Sequence, residues 1–134
     1  MSTMNRPELS ETNPYYISKH RFYELKHFCL QYKEWRKELS NLDPKISSVG
    51  KIEKPIQTDP VGELAIQRLY YEDRIRLIHS CAFEADPELA PYIVQAVTEE
   101  CSYTFLRSVK NIPCSKDYYY DKYRKFFWLL AKER

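Results

Sequence analysis

SYTFLRSVKNIPCSKDYYYDKYRKFFWLLAKER, residues 102–134, is the stretch on which the fold turns. Ser102 and Ser115 each stand just before a run of helical periodicity, where a serine hydroxyl caps a helix by accepting a hydrogen bond from an N–H the helix leaves open. The first run is short, through Tyr103, Leu106 and Val109, and the second continues to about residue 133. KNIPC is the turn between them, marked by its proline. On a helical wheel Tyr119, Tyr123, Phe126, Phe127 and Leu130 fall on one side, at the three-, four- and seven-residue steps of a core stripe. Lys116, Asp117, Tyr118, Tyr120, Asp121, Lys122, Arg124 and Lys125 fall on the other. A short helix, a turn and a longer helix form the helix-turn-helix pattern.

Upstream, Asp59-Pro60 opens a helix with Asp at the cap and Pro in the first turn. Its apolar stripe of Leu64, Ala65, Tyr71, Ile75, Ile78 and Ala82 predicts a helix to about residue 84. Asp86-Pro87 repeats the start signal, and Leu89, Tyr92, Ile93, Ala96 and Val97 predict a helix over 87–99. Residues 43–58, with Pro44, Pro55, Gly50 and two serines, read as a linker. Before it, Phe22, Leu25, Cys29, Tyr32, Trp35 and Leu39 recur at helical spacing behind the Ser18 cap, so 18–42 reads as one amphipathic helix. Residues 1–17 are mostly polar, with two prolines, and read as a flexible arm. The chain has only two glycines in 134 residues, too few for the tight turns of a strand-rich fold. The expected fold class is therefore all-α: an N-terminal amphipathic helix, a proline-rich linker, and a helical body over 59–134 ending in a helix-turn-helix.

Net charge is only +2, but it is unevenly placed. Residues 53–101 hold four Lys/Arg against ten Asp/Glu, whereas residues 102–134 hold eight against three. A basic end beside an acidic middle suggests that the end faces an anion. In a DNA-facing helix the first turns reach base edges and later cations meet phosphates. Lys116, Tyr118 and Tyr120 are thus candidates for base contacts, and Lys122, Arg124 and Lys125 for phosphate contacts. Asp117 and Asp121 would repel phosphate unless each met a base donor or paired with a cation on its own helix.

Other chemistry finds little support. No phosphate-cradling or nucleophile-elbow glycine motif occurs, and no enzymatic activity is expected. His20, Glu24 and His27 share a helix face but have no fourth ligand nearby, and they read as solvated side chains; no metal or other cofactor is expected. Cys29, Cys81, Cys101 and Cys114 lack C-x-x-C spacing and read as thiols of a reducing cytosol. There is no apolar leader segment and no run long enough to span a bilayer, so a cytoplasmic protein without membrane contact is expected. The N-terminal helix carries Phe22, Tyr23, Phe28, Tyr32 and Trp35, more rings than one stripe needs. These rings either pack on the body or form a surface for a second copy or another protein.

The segment 102–134 resembles the C-terminal region of phage- and prophage-encoded transcriptional regulators of the ArpU/RinA type, which are similar to the −35-reading domain of sigma factors. Tyr103 opening the first helix, Leu106 and Val109, the Ile112-Pro113-Cys114-Ser115 turn and the basic aromatic helix ending in Phe126-Phe127 carry the likeness. DPVGELAIQRLYYEDRIRLIHSCAFEADPEL resembles their central helix. The chain departs from that pattern at Asp117 and Asp121, and at Tyr123 where arginine is also common. The resemblance implies a phage-encoded activator of late genes that binds promoter DNA through 115–133 in the major groove, with host RNA polymerase as a further partner. The alternative is a phage-encoded helical protein whose target is a host protein, polymerase or a defence factor, rather than DNA.

Overall fold

Three serine-capped starts, two proline-marked starts and the 3.6-residue stripes give a helical fold: the described residues contain no strand. The computed structural model describes residues 13–47 and 60–134. Among the described residues six helices follow in order, α1 (Lys19–Leu30), α2 (Tyr32–Ser47), α3 (Pro60–Ala85), α4 (Ala90–Glu99), α5 (Tyr103–Val109) and α6 (Lys116–Glu133). They form two compact units, one of Met1–Gln31 with Leu77–Arg134 and one of Tyr32–Arg76. No helix among the described residues is long and apolar enough to cross a membrane.

The caps sit where the serines stand. Ser18, Ser102 and Ser115 have extended backbone, and their hydroxyls accept from the N–H groups of Arg21, Phe105 and Tyr118 at 3.3, 3.1 and 3.2 Å. The α4 start differs from the sequence reading. Asp86 does not begin the helix at Pro87 but makes a turn, its Oδ1 accepting from Glu88 and Leu89 N–H at 2.9 and 3.1 Å. The helix then starts at Ala90. An Asp side chain that mimics a backbone turn is a common alternative to a cap.

The single helix expected over 18–42 is instead two. Gln31 interrupts it with ψ near −5°, its N–H turned to the Phe28 carbonyl at 3.2 Å and its side-chain amide to the His27 carbonyl at 3.4 Å. A three-residue closure of this kind tightens a helix end without Gly or Pro. The second helix also runs on to Ser47, into the stretch read as linker. The rest of that linker, 48–58, and the Asp59 cap lie outside the described residues, as do 1–12 of the arm. Its end, 13–17, is not loose: the Asn13 side chain accepts from Tyr15 N–H at 3.0 Å, and Ile17 is buried.

In the larger unit α1 packs on α4 and α6, and α5 on α4. The core holds Phe22, Leu25 and Cys29 of α1, Ile93 and Val97 of α4, Leu106 of α5, and Tyr119, Phe126, Phe127 and Leu130 of α6. Phe127 is the hub of its rings, meeting Phe22 at 5.0 Å edge-on, Phe126 at 5.0 Å and Tyr123 at 5.1 Å. Edge-to-face geometry of this kind adds attraction beyond area burial. Arg21 of α1 donates to the Ala131 carbonyl of α6 at 3.2 Å, tying the two helices at their rim. In the smaller unit Trp35 and Leu42 are buried, with Tyr32 and Leu39 half-buried on the same 3-4-3 stripe of α2. Of the five N-terminal rings, Phe22, Phe28 and Trp35 are thus buried within the chain, and Tyr23 and Tyr32 are half-buried.

Candidate nucleic-acid interface

The turn between α5 and α6 is fixed by its own residues. Asn111 takes a positive φ of 56°, which asparagine tolerates better than most residues. The chain then reverses, so that Ile112 is buried and its N–H reaches the Leu106 carbonyl at 3.1 Å. The Tyr103 hydroxyl donates to the Cys114 carbonyl at 2.6 Å, clamping the start of α5 to the residue before the α6 cap. These bonds pin the entry to α6, with Lys116 and Asp117 of the first turn exposed.

The remaining sequence-derived residues separate by position. Tyr118 is 47% exposed, but its hydroxyl donates to Asp86 Oδ2 at 2.7 Å. Tyr120 is half-buried in a ring cluster with Tyr119 at 4.9 Å, Tyr123 at 5.7 Å and Tyr103 at 6.3 Å. It serves packing on one side and the surface on the other. Lys122 lies over the Tyr118 ring at 5.1 Å with its ammonium 3.7 Å from Asp121, so Asp121 has a cation on its own helix. Asp121, Arg124 and Lys125 are half-buried. At about 100° per residue, Asp117, Asp121 and Trp128 lie opposite the buried stripe, with Arg124 and Lys125 to either side. Farther along, the Tyr15 ring tilts against Trp128 at 5.4 Å and Lys132 covers the same ring at 3.5 Å. The second half of the outward face is therefore occupied by the chain's own side chains, and its open part is 116–125.

Asp86 is the residue sequence reasoning missed here. Burial disfavours its charge, yet the hydrogen bonds from Tyr118, Leu89 and Glu88 and the nearby Lys122 together hold its carboxyl below the usual carboxylate range. The same bond pushes the Tyr118 phenol up, because ionising it would forfeit the donor and set two negative charges together. Asp86 and Tyr118 are 32 positions apart, a pairing no periodicity announces. Arg107 and Lys110, exposed on α5 and the turn, are further cations that the wheel of α6 does not include. Among the described residues no three of His, Cys, Asp and Glu converge as metal ligands would. Cys29 and Cys81 are buried; burial pushes both thiols up, that of Cys81 to about 12.

The chain matches no protein-family model, no curated protein and no solved structure.

Proposed function

We propose that the chain is a sequence-specific DNA-binding transcriptional regulator, of the kind that activates late phage genes, with α6 lying in the major groove. The observation that carries the reading is the pinned, Ser115-capped entry to α6. Lys116 and Asp117 of its first turn are exposed, as are Arg107 and Lys110 of α5 and the turn. A basic surface on a helix-turn-helix is the usual footprint of duplex binding. Lys116 reads base edges, and Arg124 and Lys125 at the flanks neutralise phosphates. Tyr118 takes a different part from the one its sequence position suggests: with its hydroxyl on Asp86 and Lys122 over its ring, it orients the helix entry. The test is a gel shift with DNA from the gene's own neighbourhood at two salt concentrations. A shift at low salt that weakens at high salt supports the reading, and no shift with any duplex removes it.

One observation favours the second reading, a protein target. Asp86 and Glu88 bring two carboxylates toward Tyr118 at the α6 entry, and Phe105 and Val109 of α5 expose apolar surface. Acidic and apolar surface together suit a basic, apolar-faced partner such as a host transcription or defence protein. Co-purification with such a protein and no DNA shift would establish it.

A further inference from the structure

Within the larger unit, α1, α4 and α6 leave a cavity of about 300 Å³ between them. That is the small end of the range of about 300–1,000 Å³ that ligand sites occupy. Ala96 and Val97 of α4 and Phe127 of α6, all buried, give it an apolar floor. Lys26 of α1 and Glu100 at the end of α4 also line it, and their side chains, 35% and 58% exposed, stand at its mouth. Their charged atoms lie 3.6 Å apart, well beyond the roughly 2.7–2.9 Å of a tight charge-assisted bond, so the pair is loose. Glu100 takes φ 57°, where glycine would sit without cost, so a carboxylate stands here despite the backbone strain. Tyr123 of α6 completes the lining, its ring held by Tyr119 at 5.8 Å, Tyr120 at 5.7 Å and Phe127 at 5.1 Å. Among the described residues nothing hydrogen-bonds the Tyr123 hydroxyl. Burial first, and the nearby Glu100 charge among others, push its phenol up, so it stays a neutral donor. A sheltered hydroxyl without a partner is costly, and an acceptor in the cavity removes that cost.

We propose that this cavity binds a free α-amino acid with an apolar side chain. Charge chooses the occupant. The site offers one cation, one anion and one neutral O–H donor around an apolar floor. A zwitterion meets all of them: its carboxylate accepts from the Lys26 ammonium and the Tyr123 hydroxyl, its ammonium donates to Glu100, and its side chain covers Ala96, Val97 and Phe127. It replaces one loose ion pair by two and adds no net charge. A simple carboxylate or a simple amine would instead part Lys26 from Glu100 and leave one of the two without a counter-charge.

The experiment is a nitrogen-15 NMR titration of the full chain with L-leucine and L-phenylalanine, and with isocaproate and isoamylamine, which are leucine without its amine and without its carboxylate. At least one amino acid is expected to give saturable shifts at Val97, Glu100 and Tyr123 by millimolar concentration, and isocaproate and isoamylamine to bind about tenfold or more weakly. Tyr123→Phe removes only an unbonded hydroxyl, so the free protein is expected to unfold at the wild-type urea midpoint or above it while its affinity for the amino acid falls about tenfold. Lys26→Met and Glu100→Gln are expected to weaken binding similarly. No saturable shift with either amino acid overturns the proposal. So do shifts confined to other parts of the chain, equal binding of a singly charged counterpart, or a Tyr123→Phe variant that binds as the wild type does.

Discussion

At the scale of single residues, two side chains carry consequences that a list of core positions would miss. The first is Asp86, whose carboxylate anchors the α6 entry through Tyr118. A carboxyl held below its ordinary 3.8 contributes stability that is present above that value and lost as pH falls through the lower, folded one. Acidification below the usual carboxylate range is therefore expected to loosen this corner early. In Tyr118→Phe the hydroxyl is gone, and the Asp86 midpoint followed by carbon-13 NMR is expected to rise toward the ordinary value. An unchanged midpoint would mean that the turn N–H groups alone hold the carboxylate. The second is Glu100, which ends α4 with φ 57° and ψ 42°, a left-handed position that glycine occupies without cost. Cys101 N–H closes on the Ala96 carbonyl at 3.2 Å around it. Its ion pair with Lys26 at 3.6 Å is exposed and contributes little. Glu100→Gly is expected to stabilise the fold by about 0.5–1 kcal/mol in urea titrations. The serine caps were legible in the sequence because a cap is a local pattern. Asp86 with Tyr118 was not, since it joins distant positions, and neither was Glu100, since no glycine marked the turn.

At the scale of elements, α6 joins both halves of the account. Most of its stripe was legible: Tyr119, Phe126, Phe127 and Leu130 are buried as their spacing requires, and Tyr123 is half-buried. Phe126 has no exposed surface, and Phe126→Ala is expected to cost about 3–5 kcal/mol through lost burial and the cavity left behind. Set against a typical stability of about 5–15 kcal/mol, that is enough to shift the urea midpoint strongly, and a midpoint that barely moves would show the wheel assignment to be wrong. The outward face was only partly legible. Lys116, Asp117 and Tyr118 are exposed, but Tyr120 packs among Tyr103, Tyr119 and Tyr123, and the wheel says nothing about the Tyr15 ring that meets Trp128. The break at Gln31 was hidden for a related reason. The stripe Phe22, Leu25, Cys29, Tyr32, Trp35, Leu39 continues in phase across it, and periodicity records phase rather than direction.

At the scale of the whole molecule, composition announced the helical class, because two glycines cannot supply the turns of a sheet protein. It did not announce the division of the chain. Prolines and polar residues placed the boundary at the linker, whereas the compact units divide at Gln31 and at Leu77, the latter inside the unbroken α3. Charge segregation along the chain, acidic over 53–101 and basic over 102–134, is the global feature on which the proposed DNA binding rests. The most direct measurement is a titration of the full chain against a duplex from its own genomic neighbourhood and a scrambled duplex at several salt concentrations. Arg124→Ala, Lys125→Ala and Lys116→Ala are measured alongside it. The account predicts that Arg124→Ala or Lys125→Ala weakens binding to both duplexes alike and lowers the salt slope by about 1. It predicts that Lys116→Ala costs about 1–3 kcal/mol on the specific duplex and much less on the scrambled one. Absence of binding to either duplex at low salt, or cation variants that leave the slope unchanged, would contradict α6 as a reader of DNA.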